Sequence, residues 1–295
     1  MDGVEAKYHS LDVYAPKDAK NAPVIIFIHG GGWRNGDKSN RGVGSQPAAH
    51  FCAQGFVFVS INYRLTPAGK HPANIQDVAK AVAWVHNHIS DHGGDPAQIS
   101  IMGHSAGAHL AGLVATDDTR LAAEGKPLSI LKRAILLDTA AYDIPRYLAE
   151  FREAQGSSPM RRLYTNAFGD TEQQWRDASP QAHVAPGKHI PPMLMFFTGS
   201  RMAANTLAPA FAAALTKAGS PSRAVDTVTL THGEIGQKAS DREHPLGQLV
   251  LRFLKGEDVR TFPARLDSTE VGKPGTTGGA SGGHREPSAD QSTEE

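Results

Sequence analysis

Short unbroken apolar runs alternate along this chain with longer stretches of helical period. Val24-Ile25-Ile26-Phe27-Ile28, Phe56-Val57-Phe58-Val59-Ser60-Ile61-Asn62, Ile99-Ser100-Ile101-Met102, Arg133-Ala134-Ile135-Leu136-Leu137-Asp138 and Met193-Leu194-Met195-Phe196-Phe197 are the runs. They are too short for helices, and such runs belong to parallel strands buried on both faces. Leu11-Asp12-Val13-Tyr14 and Val225-Asp226-Thr227-Val228-Thr229-Leu230 alternate instead, and read as the first and last strands, each half exposed. Helical segments are expected over 46–54, closed by Gly55, and over 75–89, where Val78, Val82, Val85 and Ile89 share one face. Two more are expected over 207–217, capped by Gly219, and over 242–254. Strands alternating with helices predict an α/β fold, a mostly parallel central sheet with helices on both faces.

The stretch 142–192 breaks this rhythm: it is polar, with scattered aromatics and no strong period. It reads as an insertion over the carboxyl edge of the sheet, where ligands bind in such folds. Residues 272–295 contain no large apolar side chain, so they cannot offset their ordering entropy. The expected organisation is one domain over 1–256 and a tail over 257–295, disordered from about residue 272.

One stretch carries chemistry. The run ending at Met102 leads into Gly103-His104-Ser105-Ala106-Gly107, then into a helix of small residues through Ala111, Gly112, Leu113 and Val114. Strand, sharp turn, helix with a serine at the apex is the context of a nucleophile elbow. Gly103 and Gly107 leave room where strand and helix pass close, and the helix aims its N-terminal amides at charge forming beside Ser105. A second motif, His29-Gly30-Gly31-Gly32-Trp33, ends a buried strand. Consecutive glycines let backbone amides approach a ligand, as donors to the oxyanion of an acyl-transfer intermediate must.

With both motifs in one chain, the sequence resembles the α/β-hydrolase fold. Within it, the chain looks like the carboxylesterase and lipase group with an HGGG motif, which includes hormone-sensitive-lipase-like and feruloyl-esterase-like enzymes. The matching residues are Leu11 to Tyr14, His29 to Trp33, Asn62-Tyr63-Arg64-Leu65, Asp95-Pro96, Gly103 to Gly107 and Thr231-His232-Gly233. The resemblance implies Ser105 as nucleophile, and oxyanion amides from Gly31, Gly32 and Ala106. It implies His232 as base, since His232 alone of fourteen histidines directly follows the last strand in a glycine-containing loop. His29 reads instead as orienting the glycine turn, and His104 and His109 as pointing away from Ser105. The family's long N-terminal cap helices have no counterpart here.

The acid breaks the pattern. The family carries it in a Gly-x-x-Asp turn after the penultimate strand, where this chain reads Gly199-Ser200-Arg201-Met202, and no Asp or Glu lies between Asp177 and Asp226. A thioether cannot support an imidazolium as an anion does. Three readings stay open. The acid has moved to Asp138, with Asp143 as a second candidate; or a Ser-His dyad works with Asn205, Glu234 or water orienting the ring; or the protein is an impaired, non-catalytic binding module.

The remaining features narrow the class. The 295 residues are 40% hydrophobic and 20% charged with zero formal net charge, which gives no ground for nucleic acid or an acidic membrane surface as partner. The single cysteine, Cys52, excludes an internal disulfide and reads as filler. No apolar run spans a bilayer and no signal peptide opens the chain, as expected of a soluble protein, cytoplasmic or secreted after loss of a leader. No metal, nucleotide or flavin motif appears, so no cofactor is expected. The expected activity is hydrolysis of small uncharged short-acyl or aryl esters through an acyl-enzyme, with arylformamidase-like amide hydrolysis as a related option.

Overall fold

A computed structural model describes residues 5–40 and 45–266. Strand β1 (Leu11–Tyr14) is followed by β2 (Ala22–Ile28), helix α1 (Ser45–Cys52), β3 (Val57–Ile61) and α2 (Ala73–His88). Next come β4 (Gly94–His104), α3 (Ala106–Thr116), α4 (Asp118–Ala122) and β5 (Leu131–Leu137). Three helices, α5 (Ile144–Glu150), α6 (Pro159–Phe168) and α7 (Glu172–Asp177), precede β6 (Met193–Phe197). The described chain then runs through α8 (Met202–Lys217), β7 (Ser222–Asp226), α9 (His232–Lys238) and α10 (Pro245–Leu254). The strands form one seven-stranded sheet in the order β1-β3-β2-β4-β5-β6-β7, parallel except for β1 on β3.

The apolar runs divide their side chains between two cores with a period of two. Val24, Ile26 and Ile28 pack with Ile75, Val78 and Val82 of α2, Leu110 and Leu113 of α3 and Phe211 of α8. Ile25 and Phe27 pack on the opposite face with Phe51 of α1 and Leu249, Val250 and Phe253 of α10. Helices therefore cover both faces, and the five unbroken apolar runs are all buried strands. Among the described residues, no helix is long and apolar enough to cross a membrane.

Several boundaries differ from the sequence expectation, four of them near the carboxyl-terminal strands and helices. The last strand ends at Asp226, because the Asp226 carboxylate accepts the Val228 amide at 2.8 Å and turns the chain, with Val228 at φ +57°. The alternation through Val228 and Leu230 thus falls in a turn. Helix α8 starts at Met202 rather than 207, since the small Ala203 and Ala204 are buried against the sheet. His232 opens a helix rather than lying in a loop: Thr231 caps α9, and Glu234 closes a capping box with it. Helix α10 begins at Pro245 rather than 242, with the His244 side chain capping it.

Residues 142–192 are helical, with Asp143, Ser158 and Thr171 as side-chain N-caps. Their aromatics settle on the carboxyl edge: the Tyr164 and Phe168 rings stand edge-on to Trp33 at 5.2 and 4.7 Å. Contacts with the sheet continue past residue 256. Asp226 donates its amide to the Ala264 carbonyl and accepts the Leu266 amide, and Phe262 is buried. The expected disorder from about residue 272 lies outside the described residues.

Candidate active site

The β4–α3 turn sets Ser105 apart from its neighbours. Ser105 sits at φ +57° and ψ −119°, a conformation that costs a non-glycine residue about 1–3 kcal/mol. It is held by its amide on the Leu137 carbonyl at 2.8 Å and by the His109 amide on its own carbonyl at 3.1 Å. The flanking glycines are steric necessities. A Cβ on Gly103 would stand 2.2 Å from the Gly107 carbonyl oxygen, and one on Gly107 would stand 2.1 Å from the Ile28 oxygen. Ser105 remains half-buried, so its hydroxyl is reachable.

The glycine turn lies against this elbow. A Cβ at Gly30 would come within 3.1 Å of the Ser105 Cβ, which places the turn beside the serine. Gly31 and Gly32 adopt φ +115° and +61°, and the Gly31 carbonyl accepts the Arg34 and Asn35 amides. His29 holds the turn as expected: its Nδ1 donates to the Gly30 carbonyl at 2.8 Å, and its ring stacks on Tyr63. Burial keeps the His29 imidazole neutral by lowering its pKa.

His109 ties the turn to the elbow helix, a role that sequence reasoning missed. Its Nδ1 accepts the Trp33 indole N–H at 3.2 Å and its Nε2 donates to the Ala178 carbonyl at 2.7 Å. Complete burial pushes its pKa down to about 3. The available signal was a histidine among small apolar residues, on a helix that proves to be buried all round.

Asp138 and His232 meet next to the elbow: Asp138 follows Leu137, whose carbonyl holds the Ser105 amide, and the His232 ring packs on that of His104. Asp138 follows the last residue of β5 at φ +50°, fixed by its amide on the Phe196 carbonyl at 2.8 Å. Its Oδ2 accepts His232 Nδ1 at 2.6 Å, and its Oδ1 accepts the Thr198 amide at 3.3 Å. Arg201 Nη1 donates to the same Oδ2 at 2.8 Å. Burial alone would raise the Asp138 pKa; the His232 hydrogen bond and the Arg201 charge outweigh it and hold the carboxyl below its usual range. His104 completes the cluster, donating Nε2–H to the His232 carbonyl at 2.8 Å with the two rings 4.6 Å apart. Burial, followed by repulsion from a charged His232, brings His104 down to about 4. His104 therefore touches the candidate base, a contact that the sequence did not announce.

The other acid candidates are engaged elsewhere or exposed. Asp143 caps α5 through the Arg146 amide. Glu234 accepts both the amide and the hydroxyl of Thr231, at 2.8 and 2.7 Å. Asn205 is exposed on α8, and Met202 is 73% exposed at its start. Sequence reasoning also passed over Arg201, although a cation beside Met202, where the resemblance led us to expect an acid, was itself a signal that a carboxylate arrives from another strand.

Among the described residues, Asp117, Asp177 and His183 bring one ligand atom each within 4.8 Å of one another. Arg120 already supplies a cation there, bonding Asp117 at 2.7 Å and Asp177 at 2.8 Å, and His71 bonds Asp177 at 2.7 Å. Cys52 is half-buried with its thiol on the Tyr14 carbonyl at 3.4 Å, and burial pushes its pKa up.

A mostly parallel sheet between helices, with a strained serine at a strand–helix elbow and a glycine turn against it, defines an α/β-hydrolase. The chain belongs to the BD-FAE family, which it matches over residues 11–201. It is 35% identical over 207 residues to the esterase LipC of Mycobacterium tuberculosis, covering 65% of this chain and 47% of LipC. It is 30% identical over 188 residues to a kynurenine formamidase of Meyerozyma guilliermondii, covering 61% of this chain and 66% of that protein. The chain spans less than two thirds of the length of the first curated relatives it matches. Among solved structures, Thermogutta terrifontis esterase 2 in its apo form superposes with a TM-score of 0.64 at 25% identity, covering 83% of this chain and 88% of that one.

Proposed function

We propose that this protein is a serine carboxylic-ester hydrolase, with Ser105 as nucleophile, His232 as general base and Asp138 as the acid. The observation that carries the proposal is the 2.6 Å contact between Asp138 and His232, in a chain whose elbow serine is held by the carbonyl of Leu137, the residue before Asp138. An ionised carboxylate on Nδ1 fixes the tautomer that leaves Nε2 free to take a proton, and it stabilises the imidazolium that follows. Ser105 Oγ attacks the ester carbonyl carbon while its proton passes to His232. The oxyanion is met by the amides of Gly31, Gly32 and Ala106, where removing one donor typically costs about 2.7–4 kcal/mol. His232 returns the proton to the departing alcohol, and water, activated in the same way, releases the acid.

The proposed substrates are small esters with short acyl chains or aryl groups, for which p-nitrophenyl acetate and butyrate are the simplest probes. The likeness to a kynurenine formamidase supports a second reading, hydrolysis of an N-formyl arylamine through the same acyl-enzyme chemistry. The test is an assay on both p-nitrophenyl esters and on N-formylaniline, with Ser105→Ala as control and a fluorophosphonate probe for labelling. Expected are turnover of at least one substrate, loss of that turnover in Ser105→Ala, and covalent labelling at Ser105 alone. Activity surviving in Ser105→Ala, or labelling at another serine, would remove the central assignment.

A further inference from the structure

Arg201 stands behind the His232–Asp138 pair, and its charge is not wholly spent there. Its Nη1 donates to Asp138 Oδ2 at 2.8 Å and lies 3.4 Å from His232 Nδ1. The ion pair is lopsided: the Asp138 side chain is 0% exposed, the Arg201 side chain 31%. The negative end is sealed in the sheet, while the positive end reaches the surface beside the candidate base. Arg201 Nε and Nη2 have no protein acceptor among the described residues. A guanidinium carries five N–H donors in a planar fork, so donors remain for a second acceptor.

Three phenols and one carboxylate stand around it. Tyr142, Tyr147 and Tyr164 all feel the Arg201 charge, and burial keeps their phenols protonated. The Tyr142 hydroxyl is buried without a partner. Glu153, the carboxylate on this side, accepts the Tyr147 hydroxyl at 3.0 Å.

We propose that Arg201 is the recognition group for a carboxylate on the substrate, and that the preferred esters carry a free carboxylate close to the scissile carbonyl, as the monoesters of small dicarboxylic acids do. This narrows the ester-hydrolase reading and rests on it. An uncharged ester offers the unused Nε and Nη2 donors no charge to pair with; a carboxylate would meet them in a planar, charge-assisted pair.

The test compares kcat/KM for ethyl hydrogen succinate and ethyl butyrate, followed by pH-stat titration, in the wild type, Arg201→Met and Arg201→Lys. The ratio is read because Arg201 also touches Asp138, so a disturbed acid slows both esters and cancels. The wild type is expected to favour the succinate ester by about 10- to 100-fold, the range of a hydrogen bond to a charged group. That preference should vanish in Arg201→Met, chiefly through KM, and partly return in Arg201→Lys. In the wild type alone, raising the salt from about 0.05 to 0.5 M should compress the ratio, a readout that survives if the variants misfold. Equal use of the two esters, or a preference indifferent to both salt and substitution, overturns the proposal while leaving the esterase reading intact. If neither ester is turned over and Ser105 resists labelling, it is the esterase reading that fails. The carboxylate site is then judged by monoethyl succinate raising the melting temperature of the wild type but not of Arg201→Met, and no shift in either overturns it.

Discussion

The Asp138 carboxylate accepts a 2.6 Å hydrogen bond from His232 Nδ1 across 94 residues of chain, while Met202, where the sequence resemblance led us to expect the acid, is 73% exposed. The two positions make opposite predictions. Asp138→Asn should lower kcat by about 10⁴, because an amide supports the wrong tautomer and offers no charge to the imidazolium. Met202→Asp should change activity by no more than a few-fold, since its side chain faces water and His232 already has a carboxylate. The paired kinetics decide the matter: a near-normal Asp138→Asn enzyme, or a Met202→Asp enzyme with raised kcat, would return the site to a dyad with its ring oriented by other groups.

The same pair marks how far the sequence could be read. Val24 to Ile28 and Met193 to Phe197 announce buried strands because an apolar run with no polar member has only one place in an α/β sheet. Gly103 announces the elbow because the close approach it permits is local, to the Gly107 carbonyl four residues on, whereas Gly107 makes room for the Ile28 carbonyl of β2. The choice among Asp138, Asp143 and Glu234 was not local. It depends on β5 lying next to β6, and on the Thr231 cap that engages Glu234 and turns His232 into the first residue of a helix. His104 and His109 were invisible for the same reason: their partners, the His232 carbonyl and the Ala178 carbonyl, lie 128 and 69 residues away. The helices of 142–192 were not legible, because their aromatics pack on Trp33 and on one another instead of following one continuous face.

His109 makes stability sensitive to acid. Its imidazole is neutral in the fold, with its pKa pushed down to about 3 by burial, while in the unfolded chain it takes a proton near its ordinary 6.5. A group depressed in this way contributes its full stability above the unfolded pKa and loses it as pH falls toward the folded value. Between pH 7 and about 4.5 the loss should be on the order of a few kcal/mol, with His104 adding to it in the same direction. Asp138, held below the usual carboxylate range, joins only at lower pH. Thermal unfolding followed across this window should show the midpoint falling, with a shallower fall in His109→Gln, which keeps one donor and one acceptor but cannot be protonated. Parallel slopes in the two proteins would mean that His109 does not carry the effect.

The segment beyond α10 belongs to the fold, and Phe262 is what fastens it. Its ring is 1% exposed, lies 6.4 Å from Phe253 and is covered by the Arg252 guanidinium at 4.9 Å, while its carbonyl accepts Arg223 Nε at 2.8 Å. From there the chain runs beside β7, with hydrogen bonds from Asp226 to Ala264 and from Leu266 to Asp226. Deleting a buried phenyl ring costs about 3–5 kcal/mol where the site cannot collapse. Phe262→Ala should therefore lower the urea midpoint by an amount of that order, and truncation after Glu257 should do the same, whereas truncation after Leu266 should leave both midpoint and activity in place. Because β7 leads directly to Thr231 and His232, Phe262→Ala should also lower esterase activity at temperatures well below its unfolding transition. A variant as stable as the wild type would show that the contacts of 257–266 with the sheet do not hold in solution, and that the domain ends at α10.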